Sequence, residues 1–437
     1  MATVNGDAIG NILVGTNLGD NLFGFSGDDI LAGGLGDDAL EGGSGNDVLG
    51  GGDGDDRLDG GPGFDVMVGG NGDDIYIVDN VEDVVVETDF NGGSDTIISS
   101  VDHQLGDHFE GIVLSGNGNL DASGNSLDNG LVGNSGRNQM FGLGGDDSFL
   151  ASAGDDRMDG GTGIDTVDYT MMNTTITLRA AGEIHKDGLG VDRVTDVEVI
   201  AGAAGRNNQI NASTSLGSPV FVNVNLSEET LRVNGIPGVE AQLLTVRNFV
   251  DVVGTSQNDL ITGNALANNL SGGTGNDFID GAGGDDILNG DAGADSLFGG
   301  QGSDILFGGL GSDLLVGGNG DDTLLGYGFI PEGEIDTLVG GSGSDIFALG
   351  DATNGRYYLA PLRAGNLDDA YAIIEDWDFQ TDFIRLNGSF DYSAEFRFAN
   401  GIGSSNTLDT VISSGGNILA IIQDSTAFDF NRDTIFV

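Results

Sequence analysis

The chain has no cysteine, which excludes disulfides and thiolate zinc sites. Its three histidines, His103, His108 and His185, leave little imidazole for a transition metal. None stands in an H-E-x-x-H frame, so a zinc protease of that kind is excluded as well. Positive charge is also scarce: 14 basic residues, of which Lys186 is the single lysine, face 70 acidic ones for a formal charge of −56. Such a polyanion argues against nucleic acid and anionic membranes as partners and for bound cations. With sulfur and imidazole absent or rare, oxygen ligands remain, and these favour Ca²⁺. Five prolines beside 80 glycines fit neither an ordinary packed globule nor collagen, which needs glycine at every third place. Long apolar runs are missing too. "ILAII" at 418–422 is far short of the roughly 20 residues of a membrane helix, and the opening "MATVNGDAIG" has neither the basic nor the apolar region of a signal peptide. The expectation is a protein that does not insert into membranes and leaves the cell without a cleaved N-terminal signal.

A nine-residue period fills the chain instead. Counting by nines from Gly6, the sixth place reads Asn11, Asp20, Asp29, Asp38, Asp47, Asp56, Asp65 and Asp74, and the eighth reads Leu13, Leu22, Leu31, Leu40, Leu49, Leu58, Met67 and Tyr76. A block from Gly254 places Asp259, Asn268, Asp277, Asp286, Asp295, Asp304, Asp313 and Asp322 over Ile261, Leu270, Ile279, Leu288, Leu297, Leu306, Leu315 and Leu324. A shorter block from Gly124 gives Asn129, Asn138, Asp147, Asp156 and Asp165, and one further unit carries Asp345 and Phe347. One apolar residue per nine can face a core only if the chain reverses between successive short strands. The spacing therefore predicts strands of about three residues and turns of about six. Two repeats make a coil, and stacked coils make two parallel sheets in which each turn lies beside the turn two repeats along. Glycines at the first, second and fourth places are expected to give the turn positive φ and to bring its carbonyl oxygens together, while the aspartate supplies charge for an ion between neighbouring turns.

These units resemble the RTX (repeats-in-toxin) nonapeptide, G-G-x-G-x-D-x-U-x with U apolar. The resemblance implies an all-β, parallel β-roll or β-helix solenoid loaded with several Ca²⁺ ions. It also implies that the turn aspartates are ligands: Asp20, Asp29, Asp38, Asp47, Asp56, Asp65, Asp74, Asp147, Asp156, Asp165, Asp259, Asp277, Asp286, Asp295, Asp304, Asp313, Asp322 and Asp345. Turn glycines such as Gly34, Gly36, Gly43 and Gly45 join them through their carbonyls. Units with Asn11, Asn129, Asn138 or Asn268 depart from the pattern, as do those of Asp20 and Asp259, which lack glycine at the second and fourth places, so these sites are expected to be weak or empty.

The organisation read from the sequence is an N-terminal RTX roll over 1–78, an irregular β connector over 79–123, a second block over 124–168, irregular solenoid coils over 169–253, a third roll over 254–350 and a C-terminal cap with a secretion signal over 351–437. In the cap, "YAIIEDWDFQTDFIRLNG" reads as two strands around a turn, and "RDTIFV" is similar to the ends of type I secretion substrates. Catalytic motifs are wanting: "GNSGR" at 133–137 ends in Arg137 where an esterase needs glycine. The expectation is a non-enzymatic, secreted Ca²⁺-binding protein with a surface, matrix or self-assembling role, exported by type I machinery. The alternatives are an adhesin or carbohydrate-binding module, for which Trp377 and Tyr357 are the candidate aromatics, and a secreted hydrolase with a site on the irregular coils.

Overall fold

The nonapeptide places one apolar residue between two polar neighbours, and that triplet is the strand. In Arg57–Asp59 the middle residue, Leu58, is fully buried while its neighbours face outward. The computed structural model describes residues 2–87, 93–179, 182–213, 220–235, 241–326, 335–351, 355–356, 371–378, 380–386, 393–397, 409–414, 417–423, 428 and 430–436. Apart from one helical turn, Phe430–Asp433, its elements are strands, nearly all of them parallel. In the repeat blocks the ladders join residues eighteen apart: Leu22 with Leu40, Leu40 with Leu58, Leu288 with Leu306. Two nonapeptides therefore make one coil, and alternate repeats feed opposite sheets. This is the all-β parallel β-roll that the spacing predicts. The eighth-place residues stack into the core, each fully buried leucine contributing about 1.5–3 kcal/mol of apolar burial.

Strand length differs from expectation. Some strands have three residues, but others, such as Ala39–Ser44, have six, because the ladder runs on into the turn and pairs Gly43 with Phe25. A turn whose own backbone is laddered to the next is held rigidly in register, which is what a shared ion site requires.

The chain forms two compact units, Met1–Leu178 with Gly182–Arg206, and Arg179–Ala181 with Asn207–Val437. In the first, one sheet runs without interruption from Thr3–Asn5 through Ile75–Val78, Thr96–Ser99, Gly111–Leu114 and Gly130–Val132 to Val199–Ala201. The opposite face is made in two parts: one sheet ends with Val84–Val86, and another begins at His103–Gln104. The irregular stretch after residue 78 thus keeps one wall of the roll and breaks the other.

In the second unit the parallel stacking continues past residue 350. Tyr371–Ile374 extends the sheet of Ile335–Ser342, and Phe383–Leu386 extends the sheet of Ile346–Ala348. The two strands read from the sequence as a local pair are therefore in opposite walls, one coil beyond the last nonapeptide. Asn417–Ile422 and Thr434–Phe436 add a further coil, onto which Asp409–Ser414 and Ser393–Arg397 fold antiparallel. Trp377 packs between Phe347 and Phe428, with ring centroids 6.0 and 5.9 Å away, so it serves the core; Tyr357 lies outside the described residues.

Candidate metal centre

Each sixth-place residue is a rung in a ladder of carboxylates along the turns. The backbone N–H of Asp29 donates to Oδ1 of Asp47 (2.7 Å), and that of Asp47 to Oδ1 of Asp65 (2.7 Å). On the other side Asp38, Asp56 and Asp74 repeat the arrangement at 2.7 and 2.8 Å. One carboxylate oxygen is thereby committed to the fold. The other oxygen separates the repeats into two kinds.

In the first kind Oδ2 is buried and accepts nothing. Among the described residues this holds for fifteen aspartates: Asp29, Asp38, Asp47, Asp56, Asp65, Asp74, Asp147, Asp165, Asp277, Asp286, Asp295, Asp304, Asp313, Asp322 and Asp345. Every one of them has glycine at the first place of its repeat and a residue with positive φ at the second, whether glycine, such as Gly34 (φ 120°) and Gly43 (φ 106°), or another residue, such as Phe25 (73°) and Ala282 (69°). Fourth-place Gly36 and Gly45 also have positive φ, at 96° and 144°. The expectation that first-place glycines adopt positive φ is not met. They are needed for space instead. A Cβ on Gly290 would stand 2.5 Å from both Asp295 Oδ2 and the Gly308 carbonyl oxygen of the next coil, so glycine leaves a small hollow lined by oxygen. Gly36 likewise turns its carbonyl toward the next coil, where a Cβ on Gly54 would meet the oxygen at 2.7 Å.

In the second kind the second-place residue has ordinary φ, and its own N–H closes onto the sixth-place side chain. Thr16 N–H donates to Asp20 Oδ2 (2.7 Å) and Thr255 N–H to Asp259 Oδ2 (2.5 Å). Asn125, Asn134 and Asn264 do the same to Asn129, Asn138 and Asn268, and Asp7 to Asn11. Their amide Nδ2 atoms then donate to nearby carbonyls, Asn129 to Phe109 (2.9 Å) and Asn268 to Val250 (2.8 Å). These turns satisfy themselves. Asp156 is a third case: its Oδ2 meets Ser152 Oγ at 3.2 Å and the Lys186 ammonium at 3.3 Å.

Electrostatics follow this division only in part, since burial also raises Asp259 in a closed turn. Burial raises Asp56, Asp147, Asp286, Asp295, Asp313 and Asp322 to about 7, and neighbouring aspartates add to the effect for all of them. Asp20, by contrast, is held below its ordinary value, first by the Thr16 hydroxyl. The open turns thus concentrate carboxylate that is costly to ionise without a cation. Buried oxygens without donors, a second carbonyl wall and a hollow that one methyl group would fill all fit a hard cation.

Several rungs escaped the sequence reading. Asp95 accepts the N–H of Asp74 (2.9 Å), Asp192 that of Asp156 (3.0 Å), Asp336 that of Asp313 (3.0 Å) and Asp382 that of Asp345 (3.2 Å). Each stands two residues before a buried apolar residue, Ile97, Val194, Leu338 and Ile384 respectively. The signal was the D-x-U half of the repeat without its first-place glycine, although Gly93 holds the fourth place before Asp95, and Gly188 and Gly190 hold the second and fourth before Asp192. Asp74, Glu87 and Asp95 gather ligand oxygens within 4.8 Å of one another, and Glu87 stands eighteen residues after Gly69, where a first-place glycine would fall. Away from the turns, a groove of about 410 Å³ on the irregular coils is lined by Ser94, Thr96, Glu110 and Asp128 among others, but Glu110 Oε2 is already engaged by the Asp95 N–H (2.8 Å).

The family of the RTX calcium-binding nonapeptide repeat (four copies) matches residues 14–49, 50–85, 132–167, 262–297, 298–328 and 333–354. No curated protein gives a significant match. Among solved structures, the extracellular lipase LipA from Serratia marcescens aligns with 79% of this chain at 14% identity; the chain spans 45% of that lipase, and the TM-score of 0.22 carries no argument. The matched segments coincide with the stretches where the carboxylate ladders and open turns recur, and these stretches of the chain are RTX calcium-binding nonapeptide repeats.

Proposed function

We propose that this is a secreted, non-enzymatic protein whose β-roll is assembled by extracellular Ca²⁺, with a structural role at a cell surface or in a matrix. The observation that carries the reading is the set of fifteen buried Oδ2 atoms without donors, each associated with a first-place glycine. In this reading Asp29, Asp286, Asp295 and the other open-turn aspartates are ligands, joined by turn carbonyls such as those of Gly34, Gly36, Gly43 and Gly45. Asp20, Asp156 and Asp259 are not ligands. A family of this kind fits export by type I machinery, and no helix among the described residues is long and apolar enough to cross a membrane.

An assembling role draws support from the outward face of the sheet that ends with Val84–Val86. Ile12, Ile30, Val48, Val66 and Val84 stand in one register row, and Ile12 is 74% exposed. A row of β-branched residues that are exposed apart from the half-buried Val66 favours association of faces. The test is circular dichroism and light scattering during a Ca²⁺ titration after chelation. The expected outcome is coil in chelator, a β signal appearing at about 10⁻⁴–10⁻³ M Ca²⁺, and particles larger than a monomer only in the folded state. Full β signal in chelator would overturn the calcium reading, and a strict monomer at high concentration would overturn the assembling role.

A further inference from the structure

The second repeat block contains a cation that belongs to the chain. Lys186, the single lysine of the sequence, has a wholly buried side chain, as has its partner Asp156. It lies on Glu183–Lys186, which folds antiparallel onto Gly190–Thr195 and pairs Lys186 with Gly190. That hairpin carries the ammonium into the carboxylate ladder. Nζ donates to the Ser152 carbonyl (2.7 Å) and to Asp192 Oδ1 (2.5 Å), and stands 3.3 Å from Asp156 Oδ2, giving three acceptors for three N–H groups.

Asp156 and Asp192 are successive rungs of one ladder, joined by the Asp156 N–H. They are in the same relation as Asp38 and Asp56, where Oδ2 has no donor. Here both carboxylates are complete. Asp156 Oδ2 has Lys186 and Ser152 Oγ, and Asp192 Oδ2 accepts from the buried Tyr169 hydroxyl (2.8 Å). The repeat has also lost the features of an open turn: Ala151 replaces the first-place glycine, so a Cβ occupies the hollow, and Ser152 at the second place lacks positive φ. Ion hollow and lysine exclude each other at one point of the ladder.

We infer that Lys186 is a built-in cation that takes the place of one Ca²⁺ between the Asp156 and Asp192 turns. This rung is neutralised by the fold itself and is indifferent to calcium and to chelators. A tethered ammonium carries one charge where a calcium ion carries two, and the deficit is offset by the donors from Ser152 and Tyr169. The inference rests on the calcium reading above.

The test counts bound Ca²⁺ on the full chain by equilibrium dialysis with metal analysis. Asn replaces Asp natively at the same place in Asn129 and Asn138, so Asp156→Asn is compatible with the fold. Asp156→Asn is expected to leave the count unchanged, whereas Asp295→Asn lowers it by about one. Loss of an ion in Asp156→Asn would overturn the inference. Absence of calcium from the unaltered chain would instead overturn the reading it rests on. A second measurement separates a cation from a packing element. Lys186→Met in saturating Ca²⁺ should lower Tm by about 5 °C or more, since it leaves two buried carboxylates uncompensated. Adding Asp192→Asn to Lys186→Met should restore most of that loss; no restoration, or a Lys186→Met protein as stable as the unaltered one, would overturn the inference.

Discussion

At the scale of the residue, glycine does two different jobs in one turn. First-place glycine supplies room, because any Cβ there would enter the oxygen-lined hollow. Second-place glycine supplies conformation, and in the open turns that lack it another residue adopts positive φ at a cost: Phe25, Leu143, Ala282 and Asp291 are held at 73°, 78°, 69° and 70°. The left-handed region disfavours such residues by about 1–2 kcal/mol, part of which returns as unfolded-state entropy when glycine replaces them. Ala282 has little side chain to lose. Ala282→Gly is therefore expected to stabilise the calcium-loaded protein by about 0.5–1 kcal/mol, read from the urea midpoint in saturating Ca²⁺; a lower midpoint would show that the strain is absent.

The repeat as an element is a turn with two settings, and the second place selects between them. With positive φ, the second-place N–H turns away and Oδ2 is left for an ion; with ordinary φ, the N–H closes onto the side chain, as Thr255 does to Asp259. Thr255→Gly is expected to open that turn and raise the number of bound Ca²⁺ ions by about one. An unchanged count would mean that something other than the second place decides. Neighbouring turns are coupled as well. Asp286 donates its N–H to Asp304 Oδ1 (2.8 Å), so the two carboxylates adjoin one stack of hollows. Asp286→Ala and Asp304→Ala should therefore shift the calcium midpoint by less together than the sum of the single shifts. Additive shifts would show that their ions are independent.

The whole molecule is dominated by a charge of −56, much of it aligned in ladders. The sign of its pH dependence follows from burial, which raises the folded carboxyls of Asp56, Asp147, Asp286, Asp295, Asp313 and Asp322 to about 7. Their unfolded values are about 4. The metal-free roll therefore holds its full contribution from these groups below pH about 4 and loses it as the pH rises through about 7. Calcium reverses the trend, because protons compete with the ion. In chelator, the β signal should grow as the pH falls from 7.5 toward 4.5; in Ca²⁺, the calcium midpoint should rise over the same interval. A metal-free β signal that is flat or falling on acidification would contradict the assignment of buried, uncompensated carboxylates.

Sequence alone determined the coil, because a period of nine with one buried residue permits only a strand, a reversal and a second strand in the opposite wall. It also determined the ladder positions of Asp29, Asp47 and Asp65, since constant spacing under a constant coil length stacks like on like. It carried the warning at Asp20 and Asp259, where second-place threonine is plain to read. Three features needed the tertiary structure. Rungs such as Asp95, Asp192 and Asp336 are offset by insertions of variable length, so only the ladder reveals them as successors of Asp74, Asp156 and Asp313. The coils beyond residue 350 lie outside the nonapeptide and join the roll through strand pairing, the Asp382 rung and the packing of Trp377 on Phe347. Lys186 is thirty residues from Asp156 in the chain, and a hairpin that no local pattern specifies brings its ammonium into the ladder. Local periodicity encodes what repeats; a contact made once, across an insertion, is decided only when the chain has packed.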